Sequence, residues 1–152
     1  MEPHPISFET LRTNLPDDPR IRAFRCACGS VPGTSDLHMF GTPGSPSNSL
    51  LAGADALRDQ WPHLEELPET VTVDVVPLDD LLEREALDVR HYNVLAIDTQ
   101  GFELECLLGA STTIGSMDAI ICEVSTKRFY EGGCLVEEID AHLASRGLHR
   151  VY

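Results

Sequence analysis

The sequence is poor in positive charge: 11 lysine and arginine residues stand against 25 aspartate and glutamate residues, which gives a net charge of −14. Such a chain repels phosphate backbones and anionic membrane surfaces, so nucleic acid is not expected as a direct partner. No apolar run approaches the roughly 18 residues of a membrane span. The first residues also lack the basic and apolar parts of a signal peptide. We therefore expect a cytoplasmic protein with no membrane partner.

Short motifs that mark common enzyme classes are also absent. The eleven glycines form no phosphate-binding loop of the P-loop or dinucleotide type, and no zinc-protease or serine-hydrolase signature occurs. Five cysteines lie scattered, most of them in apolar stretches, as expected of reduced core residues. Cys26 and Cys28 place two thiols on one face of a strand, but no second pair with zinc spacing follows. We expect no metal site.

Apolar patterning predicts one α/β domain over residues 1–152. Apolar runs repeatedly give way to helical spacing, and runs of this kind, each followed by a helix, are typical of a parallel sheet covered on both faces. The prediction is a three-layer α/β/α sandwich with a mostly parallel sheet. Its strands lie near 21–28, 70–76, 93–98 and 118–124, with a further strand at TSDLHMF, and its helices lie near 5–14, 78–87, 100–110 and 134–146.

A segment rich in glycine, proline and serine interrupts this pattern. The stretch GTPGSPSN opens it, and regular apolar spacing stays weak until Val71. We interpret residues 41–68 as an excursion from the main sheet, a loop or lid that sets specificity.

Acidic residues stand at or near predicted strand ends: Glu2, Asp98 after VLAI, and Glu123 after AIIC. The carboxyl ends of parallel strands meet at one edge of the sheet, where α/β proteins bind ligands. A carboxylate there can accept hydrogen bonds from ribose hydroxyls or a proton from a reacting group. Alternatively, Asp98 caps the helix that follows it, and Glu103 interacts with the dipole of the same helix.

The chain resembles the FkbM-type methyltransferases in the block LAIDTQGFELECLLGA. It also resembles them in MEPHPISFETLRTNL and ACGS before this block and in ICEVSTKRFYEGG after it. These are class I enzymes that depend on S-adenosylmethionine. SNSLLAG and VPLDDLL also match the family pattern at the corresponding positions, so the resemblance covers nearly the whole chain. It implies a Rossmann-like fold and O-methylation of a hydroxyl on a small molecule or sugar. The family's first strand and glycine-rich loop have no counterpart here, so we expect a partial domain that on its own binds the cofactor weakly or not at all.

The resemblance also implies roles for single residues. Glu2 binds the ribose of the cofactor. Asp98 contacts the cofactor and faces the methyl-transfer site, where it is a catalytic acid together with Glu123. Gln100 hydrogen-bonds the cofactor or the acceptor. The residues beside the adenine are Ala27, Cys28, Gly29 and Ser30.

Two other interpretations stay open. The chain can be a non-catalytic, Rossmann-like α/β interaction domain that has lost its cofactor loop. An oxidoreductase that uses NAD is a weaker alternative, because the IDTQGFE block has no role in it. For proton transfer, His4 and His38 are lesser candidates than Asp98.

Overall fold

The computed structural model describes residues 1–42 and 44–151. Pro43, which belongs to the predicted excursion, and Tyr152, the last residue of the predicted domain, lie outside the described residues. Helices and strands alternate along most of the chain. In order they are α1 (Pro5–Asn14), β1 (Ala27–Cys28), β2 (Gly33–Phe40), α2 (Asp55–Gln60), β3 (Glu66–Val76), α3 (Leu78–Arg84), β4 (Val94–Ile97), α4 (Glu103–Leu108), β5 (Ala119–Cys122) and α5 (Val136–Ala144), with short 3₁₀ helices at Val89–His91 and Thr113–Ser116.

The four predicted helices are confirmed, and the first has the predicted bounds. Pro5 occupies the first helical position of α1, where a missing N–H leaves no bond unmade. His4 caps the helix, because its Nδ1 accepts a hydrogen bond of 3.4 Å from the Ser7 N–H. The helices α3, α4 and α5 lie inside their predicted ranges but are shorter. His4 is buried and serves as a cap, which removes it from the candidates for proton transfer.

The strands form two small sheets rather than the single, mostly parallel sheet predicted. One sheet has the order β1-β3-β2, in which β1 runs parallel and β2 antiparallel to β3; the other is the parallel pair β4-β5. Only residues 29–32 separate β1 from β2. Since a crossover to a parallel strand needs about a dozen residues or more, β2 must run opposite to β1. The fold is therefore mixed α/β, with a mixed three-stranded sheet.

The predicted strand near 21–28 is mostly wrong, because only Ala27–Cys28 pairs, with Val75 and Val76 of β3. Upstream of β1 the backbone is irregular, and the Phe24 carbonyl accepts a hydrogen bond of 3.0 Å from the Glu2 N–H. The further strand at TSDLHMF is confirmed within β2. Pairing with β2 also extends β3 back to Glu66, beyond the predicted start.

The predicted excursion at 41–68 is tied to the rest of the fold. An antiparallel bridge joins Ser49 to His38, and a second joins Gly53 to Tyr130. The excursion also contains α2, and its last residues already belong to β3. This segment is therefore held by backbone hydrogen bonds at two points between its ends.

The core beneath β4 and β5 is formed by residues of α4, α5 and the segments beside them. Leu107 and Ile139 are almost fully buried there. All five cysteines are unpaired, as predicted. The opposite face of the β4-β5 pair is open, with Val94 48% and Ile121 65% exposed. Among the described residues, no helix combines the length and the apolarity that crossing a bilayer requires.

Candidate functional site

Two acids stand side by side just beyond the ends of β4 and β5. The two strands run parallel with Ile97 opposite Cys122, so the residues that follow, Asp98 and Glu123, are neighbours. The Glu123 N–H donates to the Ile97 carbonyl at 3.0 Å and fixes this register. Both side chains are exposed. The parallel pairing thus brings together two acids that are 25 positions apart in the sequence.

Gln100 holds the two acids together. Its Nε2 donates to Asp98 Oδ1 at 2.6 Å and to Glu123 Oε2 at 2.8 Å. On the other side, Gln100 Oε1 lies 3.1 Å from the Tyr130 hydroxyl, which is also 2.9 Å from the Ser47 carbonyl. Two carboxylates this close repel each other unless donors lie between them. The amide of Gln100 supplies those donors, and Tyr130 fixes the orientation of the amide.

Glu103 organises the turn between β4 and α4. Its Oε1 accepts hydrogen bonds of 3.0 Å from the N–H groups of both Thr99 and Gly101, and Cys134 Sγ donates to its Oε2 at 3.3 Å. The side chain is buried, with 4% exposure. The alternative in which Asp98 caps α4 is therefore wrong, because the carboxylate that receives the turn amides belongs to Glu103. Asp98 is exposed and hydrogen-bonds Gln100 instead.

The proximity of Asp98 changes the proton affinity of Glu123. Partial burial and the nearby Asp98 carboxylate raise the pKa of Glu123 to about 7. Burial also raises the pKa of Tyr130, with Glu123 contributing. Among the described residues, one group of three or more potential metal ligands lies close enough together to share a cation. It consists of Asp98, Glu103 and Glu123, whose carboxylate oxygens lie within 4.8 Å of one another. Protein donors already hydrogen-bond all three side chains.

Replacing Glu123 by glutamine is expected to change how the stability depends on pH. Folding raises the pKa of Glu123 from 4.5 to about 7, so the folded state keeps a proton that the unfolded chain releases. The resulting stabilisation is complete below about pH 4.5 and is lost as the pH rises through about 7. Glutamine has no such proton. The melting temperature of Glu123→Gln should therefore increase relative to that of the parent between about pH 5 and about pH 8.

The control for this prediction is Glu131→Gln, which removes an exposed acid outside the cluster. Its melting temperature should follow that of the parent at every pH. If the melting temperatures of Glu123→Gln and the parent differ by the same amount at every pH, the raised pKa of Glu123 is wrong.

A cavity of about 160 Å³, which we call the strand-end groove, is lined by several distant segments of the chain. Its lining includes Glu2 from the start of the chain, Ala27 and Cys28 from β1, and Asp98 and Gln100 from the turn after β4. Five of the residues predicted to contact the cofactor thus line one cavity. Glu2 is oriented by the His4 N–H, which donates to its Oε1 at 2.8 Å.

Three residues of the predicted site do not line this groove: Gly29, Ser30 and Glu123. Gly29 is buried, and a Cβ added there would lie 2.6 Å from Val75 Cγ1 and 3.2 Å from the Phe102 ring, so these two side chains cover it. The Ser30 hydroxyl donates to the Glu105 carboxylate instead. Glu123 lines a second cavity, which shares Gln100 with the groove.

Sequence reasoning missed Tyr130. The residue is buried and reaches the acids because the Gly53 bridge holds its backbone beside the excursion. Its ring also packs edge-on against Phe40, with the ring centroids 5.5 Å apart. The available signal was weak: an aromatic residue just before Gly132 and Gly133, as in many turns.

One comparison with known proteins gives a match. Residues 1–149 match the family model described as the methyltransferase FkbM domain, which is almost the full length of the chain. The resemblance drawn from the LAIDTQGFELECLLGA block is thereby confirmed. Neither the curated proteins nor the solved structures contain a significant match.

Proposed function

The chain belongs to the FkbM methyltransferase family, and from this premise we propose that it transfers a methyl group from S-adenosylmethionine to a hydroxyl group of a small molecule or sugar. One observation carries the proposal: Glu2, Cys28 and Asp98, from three distant parts of the sequence, line the same groove. The groove lies just beyond the carboxyl end of β4, where α/β folds bind their ligands.

The chemistry of the groove fits the adenosine part of the cofactor. The Glu2 carboxylate can accept hydrogen bonds from both ribose hydroxyls. Apolar atoms of Ala27, Leu37 and Phe102 in the lining suit a purine ring. When bound, S-adenosylmethionine supplies an electrophilic methyl group on a positively charged sulfur.

We assign Asp98 as the group that receives the proton of the acceptor hydroxyl. Asp98 is exposed at the groove, and its Oδ1 is oriented by the Gln100 amide. The raised pKa of Glu123, about 7, keeps a proton on this second acid in part of the population at neutral pH. We therefore assign Glu123 as the partner of Asp98, with which it shares the Gln100 amide. A hydroxyl group with a proton acceptor in reach becomes a better nucleophile.

Glu2→Gln is expected to weaken cofactor binding by roughly 1–3 kcal/mol, the scale for a lost hydrogen bond to a charged group. The glutamine Oε1 can still accept the His4 N–H, so α1 should keep its start. Titration with S-adenosylhomocysteine, followed by NMR at high ligand concentration, measures the affinity even when it is weak.

The matched control is Glu9→Gln, an acid on α1 whose carboxylate is 58% exposed and paired with Arg12. This variant should bind the cofactor product as the parent does. An unchanged affinity in Glu2→Gln would contradict the assignment of Glu2 to the ribose.

A second candidate, a non-catalytic α/β interaction domain, is favoured by the open face of the β4-β5 pair. Val94 and Ile121 are exposed there, and exposed apolar patches often mark interfaces. The same titration separates the two candidates. An interaction domain of this kind shows no saturable binding of S-adenosylhomocysteine, whereas a methyltransferase does.

A further inference from the structure

A second cavity, which we call the aromatic pocket, adjoins the strand-end groove. It has a volume of about 300 Å³ and shares Gln100 with the groove. Its lining includes Glu123 and Tyr130, both of which hydrogen-bond the side chain of Gln100. A molecule in the aromatic pocket would therefore lie next to the acids and beside a ligand in the groove.

The aromatic pocket is shaped for a ring. Trp61, Phe129 and Tyr130 all contribute to the lining. The rings of Trp61 and Phe129 lie 4.9 Å apart at a tilt of 56°, so each supports the position of the other. Trp61 is 39% exposed, which leaves part of its surface available to a ligand. Flat aromatic surfaces in a cavity of this size suit a six-membered ring.

The charge of the aromatic pocket is negative. Glu103 and Glu123 line it, and a carboxylate oxygen of Asp98 lies within 4.8 Å of theirs. Within the described part of the chain, no lysine or arginine lines the pocket, and His63 is its basic member. An anionic ligand would meet uncompensated repulsion here. An ammonium group is attracted both by the carboxylates and by the aromatic faces.

We propose that the aromatic pocket binds the methyl acceptor and that this acceptor is an aminated cyclic alcohol, such as an amino sugar. Its ring packs against the Trp61 surface, and its ammonium group is held near Glu123. The proposal rests on methyl transfer to a hydroxyl group, as proposed above. It narrows the acceptor from any hydroxyl compound to one that carries a positive charge and no anionic group.

The test uses Trp61, the single tryptophan of the chain, as a fluorescent reporter inside the pocket. D-glucosamine, D-glucose and D-glucuronate share one ring and differ in charge, and they are titrated near pH 7, where the amine of D-glucosamine is largely protonated and histidine is generally mostly neutral. D-glucosamine should bind about tenfold more tightly than D-glucose, a difference of about 1.4 kcal/mol. D-glucuronate should bind most weakly. Glu123→Gln should reduce the preference for D-glucosamine, whereas Glu131→Gln, at an exposed residue outside the lining, should keep it.

Equal affinities for D-glucosamine and D-glucose, tighter binding of D-glucuronate, or no response to any of the three would overturn the proposal. A full preference for D-glucosamine in Glu123→Gln would overturn it as well. Calorimetry with S-adenosylhomocysteine distinguishes this failure from failure of the proposed function. If the protein binds S-adenosylhomocysteine but does not prefer D-glucosamine, the acceptor class is wrong and the proposed function stands. If it prefers D-glucosamine but does not bind S-adenosylhomocysteine, the proposed methyltransferase function is wrong.

Discussion

Asp98→Asn should slow methyl transfer by about 10²–10⁴-fold, the usual contribution of a positioned general base. Asparagine keeps the size of the side chain and an oxygen that can accept the Gln100 N–H, but it has neither the charge nor the basicity of aspartate. Cofactor affinity should change little, because the interaction that is lost is made with the acceptor. The rate is measured as formation of S-adenosylhomocysteine with a panel of aminated and neutral cyclic alcohols.

Asp118→Asn is the matched control for this variant. Asp118 is an exposed acid that precedes β5, and its Oδ2 also lies within hydrogen-bond distance of a side-chain amide, that of Asn93 at 3.4 Å. It lies at the opposite end of the same strand pair, so its replacement should leave the rate unchanged. Melting temperatures recorded alongside exclude a loss of folded protein. An Asp98→Asn protein that turns over at the parental rate would remove the catalytic role of Asp98.

Gly109→Ala should destabilise the fold by about 3 kcal/mol, at the upper end of the usual cost of overpacking. A Cβ at this position would lie 2.0 Å from the Gly29 carbonyl oxygen and 3.2 Å from Pro77 Cα. Both neighbours are backbone, so neither can rotate away. Gly109 ends α4 and Gly29 follows β1, so the clash would push apart the two sheets whose ends form the strand-end groove. The melting temperature should fall by about 6–12 °C.

Gly115→Ala provides the control, because a Cβ at that position would meet nothing within 4 Å. Alanine there should have a small effect or stabilise slightly by restricting the unfolded chain. Thermal unfolding followed by circular dichroism compares the two variants. Equal melting temperatures for Gly109→Ala and Gly115→Ala would contradict the close approach of α4 to β1.

Local sequence patterns predicted the elements better than their arrangement. Pro5 and Pro16 bracket α1, so its bounds follow from the chemistry of proline alone. The sheet order follows from loop lengths and long-range pairing, which apolar spacing does not encode. For this reason the antiparallel position of β2 was not predicted. The apolar residues of 21–26 looked like a strand, but their backbone takes no part in either sheet.

The candidate site was predictable where it depends on strand ends. Asp98 and Glu123 were expected at one edge of the sheet, and parallel pairing places them there. The function of Glu103 was predicted only in part. Its place in the first turn of α4 was predicted, but its hydrogen bonds to the amides of the turn were not. Tyr130 was missed because only the tertiary bridge to Gly53 brings it to Gln100.

The central claim is that the strand-end groove is the cofactor site, and amide chemical-shift mapping with S-adenosylhomocysteine tests it most directly on this protein of 16.7 kDa. The account predicts saturable shifts at the amides of Ala27, Cys28 and Asp98–Gln100, with α5 unaffected. Shifts confined to surfaces away from the groove, or none at saturating ligand, would contradict it.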